Sequence, residues 1–560
     1  MKKWVQIACF LLFLFLGALA IKPAKAGVPN ISVTMSANGG KDAPYIIKCQ
    51  VKTTGKGYLY LPAFYQLEQL YLYFDSHDSL WLDGLEVHSG DAISLSQNQI
   101  IHVTGKGFQP FTITVMQSSK IPTIFISTES GSLDIIHKKK GAKEAGHMYM
   151  ANAEGTIEYQ GGLKYIRSRG NSTFSMYPKK PYQIKLESAS TLCGMAKDST
   201  FILLANYLDR SELRNRIGLD LARYSGAYVF TPKCQTVDLY LNHSYAGCYL
   251  LTEKCEIDND RLNITDLEKA LEQMNENPLN TYPFVGNEGY RLGATRAYDI
   301  PNEPEDITGG YLLLANNAAY YENEASGFVT SRGQAFTIQQ PKYVSTREIE
   351  YISGVMQQIE NALFAKDGKD PVTGKHFSEL LDMKSFVNRY LQSEILNDYD
   401  GQRPYFYKDS DAVDSKVYCA PVWDQDNTLG ASSGRSSASY ISLDSEQNRR
   451  YYWFTQVMKH PDFRQEMIRT YYAVYRPAYL ILLGEEMDET GTLHSIDAYT
   501  EEIRDCTNMD HMRWERRTWN ELSAGNLYAG ETPDECAAFM KQFIRKRMIV
   551  MDEAYPAPQN

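Results

Sequence analysis

Two acidic clusters come closest to chemistry in this chain. Asp398-Tyr399-Asp400-Gly401 lies about two dozen residues before Val422-Trp423-Asp424-Gln425-Asp426. Magnesium takes hard oxygen ligands, and one or two carboxylates together with substrate phosphates are its usual supply. A carboxylate held beside a hydroxyl can orient it, or take its proton, while a phosphoryl group is transferred. Upstream, Arg167-Ser168-Arg169-Gly170-Asn171-Ser172-Thr173 places a glycine turn among guanidinium and hydroxyl groups. That composition suits anions, through backbone N–H groups and guanidinium forks. Lys179-Lys180-Pro181-Tyr182-Gln183-Ile184-Lys185-Leu186 follows, and a lysine there can meet a phosphate as a point charge. Strand alternation puts Lys180, Tyr182 and Ile184 on one face and Lys179, Gln183 and Lys185 on the other, so only one lysine face can look into a given site. Taken singly, each feature reads as a solvated turn or cap; the pairing of the two acidic clusters is the signal.

These residues hang on recognisable elements. From Val28 to about Ser119, short β-rich runs alternate with Gly, Asn and Asp turns, the rhythm of a small all-β sandwich. Lys120 to Pro122 breaks it, and Thr123–Thr128 opens a second β region with strands at Gly155–Tyr159 and Pro181–Leu186. A helix spans Arg210–Tyr224, with Ser211 to cap its start and Gly226 its end. Strands Thr236–Leu241 and Gly247–Thr252 follow, joined across Asn242-His243-Ser244. Residues 265–308 are polar and proline-punctuated, a connecting segment. Apolar residues at three-to-four spacing predict helices over Arg347–Phe364 and Met383–Leu396, and nearly everything from Arg449 on reads as helix. Asp398 thus comes off a helix, and Asp424 follows a strand-like run from Val417 to Trp423.

Arg169-Gly170-Asn171-Ser172-Thr173 with its Lys-Lys-Pro-Tyr strand, Asn206-Tyr207-Leu208-Asp209-Arg210-Ser211, Gly247-Cys248-Tyr249-Leu250-Leu251-Thr252-Glu253, Ile307-Thr308-Gly309-Gly310-Tyr311-Leu312 and the two acidic clusters occur here in one order. In this the sequence resembles the spore-coat protein H (CotH) kinase family, over roughly Ile121 to Met551. The resemblance implies an α+β, atypical two-lobed protein-kinase-like fold that binds ATP and Mg²⁺ or Mn²⁺ between its lobes and phosphorylates Ser or Thr of a protein, such as a coat or cell-surface protein. Carried onto this chain, Asp400 is the catalytic aspartate and Asp424 the metal-binding one, with Asp426 and Asp398 as further oxygen ligands. Lys185 is the first choice for the phosphate-binding strand lysine and Lys180 the second. Arg169, Gly170, Asn171 and Ser172 form the phosphate-facing turn, and Glu212 pairs with the lysine, Glu253 competing for that role. The pattern departs from the family where Asn is common: Asp398 stands two positions before Asp400, and Arg403-Pro404-Tyr405 stands a few residues after it. A catalytically inactive, kinase-like adhesion or assembly protein is therefore the second reading.

The expected organisation is a signal peptide at 1–26, an Ig-like β-sandwich at 27–120, a β-rich lobe at 121–264, the connecting segment at 265–308 and a largely helical lobe at 309–553. Lys2 and Lys3 before the apolar run Ile7–Ile21, then Ala24-Lys25-Ala26, form the three-part export signal. Its loss leaves 53 Lys and Arg against 68 Asp and Glu, a net charge of −15 in place of −11. So acidic a chain, without a sustained basic tract, is a poor match for nucleic acid. The expected location is extracellular or on the cell surface, with membrane attachment only if the signal segment stays uncleaved. Eight cysteines then remain, and pairs such as Cys234 with Cys248 or Cys506 with Cys536 could be bridged. The 40 tyrosines carry an apolar body and a polar tip, suited to half-wet surfaces.

Overall fold

The computed structural model describes residues 28–35, 45–75, 78–398, 401, 403–430, 452–515 and 530–557. The expected signal segment lies outside them. The architecture is mixed α+β. The chain clusters into two compact units, one comprising residues through Ser127 with Tyr149–Ile157 and Asp238–Ala246, the other Thr128–Met148, Glu158–Val237 and the chain from Gly247.

In the first unit, strands β1 (Ile31–Thr34), β2 (Ile47–Lys48), β3 (Gln50–Val51), β4 (Lys56–Leu61), β5 (Leu70–Phe74), β6 (Leu80–Leu82), β7 (Leu85–Val87), β8 (Ala92–Ile93), β9 (Ile100–Thr104) and β10 (Phe111–Gln117) form two sheets, ordered β2-β1-β5-β8 and β3-β4-β10-β9-β6-β7. Alternation decides which face is covered: Phe111, Ile113 and Val115 of β10 and Ile101 and Val103 of β9 are buried, while Ile100 is exposed. Many tyrosines are interior rather than half-wet. Tyr60 stacks on Tyr245 with ring centres 4.8 Å apart, and Phe125 on Tyr240 at the same distance. Two of these phenols have their hydroxyls satisfied inside: Tyr240 donates to the Tyr60 carbonyl at 3.0 Å and Tyr245 to Asp238 at 3.1 Å.

A closed barrel follows the order β11-β12-β13-β14-β15-β17-β16, with β11 (Thr123–Thr128), β12 (Glu144–Ala151), β13 (Ile157–Ser168), β14 (Tyr182–Ser190), β15 (Asp198–Leu204), β16 (Cys234–Leu241) and β17 (Ser244–Glu253). Asn242 and His243 both take positive φ, 48° and 71°, as the tight turn between β16 and β17 requires. Within the second unit, the short helix α1 (Ser172–Met176) lies between β13 and β14, and α2 (Arg214–Tyr224) follows β15. The start of α2 differs from expectation. Asp209 does the capping: its Oδ2 accepts the Arg214 N–H at 2.9 Å, while Ser211 Oγ accepts from the Leu213 N–H at 3.2 Å and from Arg214 Nη1 at 3.1 Å.

The stretch 265–308 is more structured than its composition suggests. It contributes a helix (Leu267–Met274) and strands β18 (Phe284–Gly286) and β19 (Thr295–Tyr298). They join β20 (Tyr311–Asn316), β21 (Gly327–Val329), β22 (Ala335–Gln340), β23 (Tyr405–Lys408) and β24 (Val417–Tyr418) in a sheet ordered β18-β19-β21-β22-β20-β23-β24. Helix α3 (Thr346–Phe364) starts on a capping box between Ser345 and Glu348. Helix α4 (Met383–Leu396) is capped by Asp382 and ends at Asn397 in left-handed conformation; from Ser385 to Leu396 every residue is buried. Two long helices, α5 (Ile496–Trp514) and α6 (Pro533–Ala554), close the chain.

No helix among the described residues is long and apolar enough to cross a membrane. The eight described cysteines are all free thiols. The bridges considered from spacing are not formed, and the Cys248 thiol meets Cys506 instead.

Candidate active site

The basic turn is built by the β13–β14 hairpin. Arg167 pairs with Gln183 and Ser168 with Tyr182 across it, and the Arg169 N–H donates to the Pro181 carbonyl at 3.0 Å. Gly170 has φ +85°, and a Cβ there would lie 2.2 Å from Thr173 Oγ1, so only glycine lets the turn fold this tightly. Arg167 spends one nitrogen on Gln183 Oε1 at 2.6 Å. Arg169 is different. Its guanidinium lies 5.5 Å from the Trp423 ring centre and makes no hydrogen bond or ion pair among the described residues. Burial lowers its affinity for a proton, opposed by Tyr405, Asp424 and Cys255.

The acidic loop is pinned by its middle residue. Gln425 Nε2 donates to Asp398 Oδ2 at 3.0 Å and to the Trp423 carbonyl at 3.2 Å, while its N–H donates to Asn215 Oδ1 at 2.7 Å. Asn215 in turn donates to Asn206 Oδ1 at 2.9 Å. The loop can approach α2 this closely because position 218 is glycine: a Cβ there would lie 2.6 Å from the Gln425 Cβ. Arg214 Nε holds the Thr428 carbonyl at 2.9 Å, and the Leu429 N–H reaches the Leu396 carbonyl at 2.7 Å. With Gln425 turned inward, Asp424 and Asp426 line a cavity. Asp424 itself sits at φ +63°, an uncommon conformation for a residue with a side chain, over-determined here by the bonds on its neighbour.

Two adjoining cavities of about 480 and 330 Å³ share Arg169, Gly170, Asn171, Glu324, Gln339, Tyr405 and Trp423 as lining residues. The larger adds Lys140, Arg167, Lys254 and Lys342, and so is predominantly cationic. The smaller adds Ser172, Arg403, Asp424, Asp426 and Asn427. Asp424 reaches the water of the cavity, yet protein surrounds it on enough sides that lost hydration lifts its carboxyl above the usual range; Arg169 and Arg403 oppose this and Asp398 adds to it. Asn427 Oδ1 is buried with no hydrogen-bond partner. An amide oxygen so placed beside two carboxylates is a donor set for a hard cation.

Of the residues singled out from sequence, Arg169, Gly170, Asn171, Ser172, Asp424 and Asp426 therefore meet at one place. Asp398 lies beneath it, fully buried, accepting from Arg389 Nη2 at 3.2 Å and from Gln425. Asp400 falls outside the described residues. Lys185, on β14, is not among the cavity-lining residues; Gln183, two positions earlier, is. Lys180 is held by the carbonyls of Phe174 and Tyr177. The lysine beside Glu212 is Lys179, fully enclosed, with Asp510 as its second carboxylate. Glu253 caps backbone, accepting from the N–H groups of Ala196 and Lys233 at 2.7 and 2.8 Å. Among the described residues no three acidic, histidine or cysteine side chains cluster as a metal site, so Asp398 does not join Asp424 and Asp426 in one. Arg403, Asn427, Trp423 and Tyr405 were not expected as site residues; Trp423, Arg403 and Tyr405 sit inside stretches quoted above, Arg403-Pro404-Tyr405 only as a departure from the family pattern, and Asn427 carries no spacing signal.

The CotH kinase protein family model matches residues 166–551 of this sequence. The chain belongs to the CotH kinase family. The matched span runs from the end of β13 into α6, and takes in the turn, the acidic loop and most of the residues lining both cavities. No curated protein matches the chain.

Proposed function

We propose that this CotH family member is an exported, two-lobed atypical protein kinase, preceded by an Ig-like β-sandwich, that moves the γ-phosphate of ATP to a Ser or Thr of a protein. One observation carries the reading: the Arg169–Ser172 turn, with an unpaired guanidinium, and Asp424, Asp426 and Asn427, with an unpartnered amide oxygen, line a single cavity. Phosphoryl transfer consists mostly of positioning and charge neutralisation, which is what these groups provide.

Asp424, Asp426 and Asn427 Oδ1 would hold Mg²⁺ or Mn²⁺, and the ion would neutralise phosphate oxygens. Arg169 and the backbone N–H groups of the turn would orient the phosphate chain, and Lys140, Lys254 and Lys342 add positive potential alongside it. The ring faces of Trp423 and Tyr405 offer stacking surface for a base. Asp400, the catalytic aspartate by resemblance, would take the acceptor hydroxyl proton. The non-catalytic reading draws on Asp398, whose carboxylate is occupied by Arg389 and Gln425.

Incubating the mature chain with labelled ATP, Mg²⁺ or Mn²⁺ and a Ser-rich acceptor separates the two. The kinase reading expects transfer that falls at least 100-fold in Asp424→Ala and Asp400→Asn; transfer no greater in wild type than in these variants would overturn it.

A further inference from the structure

Arg403 leads into β23 and lines the smaller cavity with Asp424, Asp426 and Asn427. Its Nε donates to Asn316 Oδ1 at 3.0 Å, and its guanidinium carbon lies 4.2 Å from the centre of the Tyr320 ring. These contacts hold one edge and one face of the fork. Both terminal nitrogens are left without a hydrogen bond or ion pair among the described residues. The charge nevertheless acts on Asp424, opposing the rise in its carboxyl pKa.

Arg403 is half-buried, and its arrangement differs from that of the buried arginines. Arg214, Arg216, Arg261, Arg389 and Arg547 each close on a carboxylate within 4 Å. Arg403 and Arg169 line the cavity without one. A planar fork held by its Nε edge, with two donor groups unused, matches two oxygens of a phosphoryl group. Stacking on Tyr320 fixes its plane in advance, so little side-chain entropy is lost when an anion arrives.

Resting on the kinase reading above, we propose that Arg403 is a catalytic residue that grips the terminal phosphate of the nucleotide and stabilises charge on its oxygens during transfer. The bond from the γ-phosphorus to the bridging oxygen breaks, and its electron pair leaves with the diphosphate. A bond forms from the acceptor hydroxyl oxygen to phosphorus, and the hydroxyl proton passes to the carboxylate base. Arg403 stays protonated throughout and acts only as a fixed cation.

Calorimetric titration of the full mature chain with the β,γ-imido analogue of ATP, and separately with AMP, both with Mg²⁺, tests this without reference to turnover. Wild type should bind the triphosphate analogue more tightly than AMP. Arg403→Gln should weaken the analogue at least 10-fold and leave AMP within twofold, and Arg403→Lys, which keeps the charge but not the fork, should fall between. In the transfer assay Arg403→Gln should lose about 10²–10³ in kcat, as removal of a preorganised donor does. If both variants bind the analogue as wild type does, the inference is wrong while the kinase reading stands. If wild type binds neither nucleotide, the kinase reading fails and this inference with it. AMP is also the folding control: should Arg403→Gln lose AMP too, Arg403→Lys decides by the same comparison.

Discussion

Replacing Lys179 by Met should destabilise this protein more than any change at its surface. The lysine is fully enclosed, its ammonium 2.6 Å from Asp510 Oδ1, 3.4 Å from Glu212 Oε1 and 2.5 Å from the Cys248 carbonyl. Methionine keeps the length of the side chain and removes only the charge and its donors. Two carboxylates are then left in a low-dielectric interior with their shared cation gone, a loss that typically costs about 3–5 kcal/mol. The missing bond to the Cys248 carbonyl adds about 1 kcal/mol. Against a total stability of about 5–15 kcal/mol, that is a large share. Urea unfolding followed by tryptophan fluorescence should show the midpoint falling by roughly 1–3 M, taking a slope of about 2–3 kcal/mol/M. The deficit should be greatest at neutral pH and shrink in acid. Without the ammonium, the buried carboxyls bind protons more tightly in the folded than in the unfolded chain, so folding regains stability as pH falls through their raised pKa. The triple variant Lys179→Met/Glu212→Gln/Asp510→Asn, which leaves no charge buried, should recover part of the loss. A Lys179→Met protein within 1 kcal/mol of wild type, or a triple variant no more stable than the single one, would refute this reasoning. The turn should feel the change too, since Lys179 stands two residues before Pro181, whose carbonyl holds Arg169.

Gln425→Leu preserves volume but removes the donors to Asp398 and the Trp423 carbonyl; metal-dependent nucleotide binding should weaken at least 10-fold while urea stability falls by only about 1–3 kcal/mol, and equal losses in nucleotide binding with and without metal would contradict the positioning role. Glu348 is buried, with Oε1 unpartnered, and lost hydration pushes its carboxyl up to about 7 from 4.5. Its charged form is thus disfavoured in the folded chain: the cost is absent below about pH 4.5, grows through that window and is complete above about 7, at about 3 kcal/mol. Glu348→Gln should flatten that part of the stability profile and be the more stable protein at pH 8; an unchanged slope between pH 4.5 and 7 would rule this out.

Local signals were legible where short-range spacing decides. Helix α4 occupies the Met383–Leu396 span that its apolar positions mark out, and the turn after Ser168 was visible as a glycine among donors. What long-range register decides was not legible. The segment 265–308 reads as a connector because β18 and β19 are too short to show a period; β19 pairs with β21 and β18 adds to β19. That the lysine beside Glu212 is Lys179, and neither Lys185 nor Lys180, goes with Asp510, which α5 brings from more than three hundred residues away, and no pattern near residue 180 encodes that. Arg403 is a single residue before a proline, and its contacts to Asn316 and Tyr320 depend on β20 and β23 being neighbours. Burial of so many tyrosines was also invisible in composition, since it rests on acceptors supplied by distant backbone.

The close contact between α2 and the acidic loop binds two sequence positions to each other. Because the backbone at 218 touches the Cβ of residue 425, a related chain that gains a side chain at the first position must give up bulk at the second. Giving up that bulk removes the amide that fastens the loop to Asp398. Change at 218 should therefore occur only alongside change at 425, and relatives that have lost the glycine should have lost the glutamine as well.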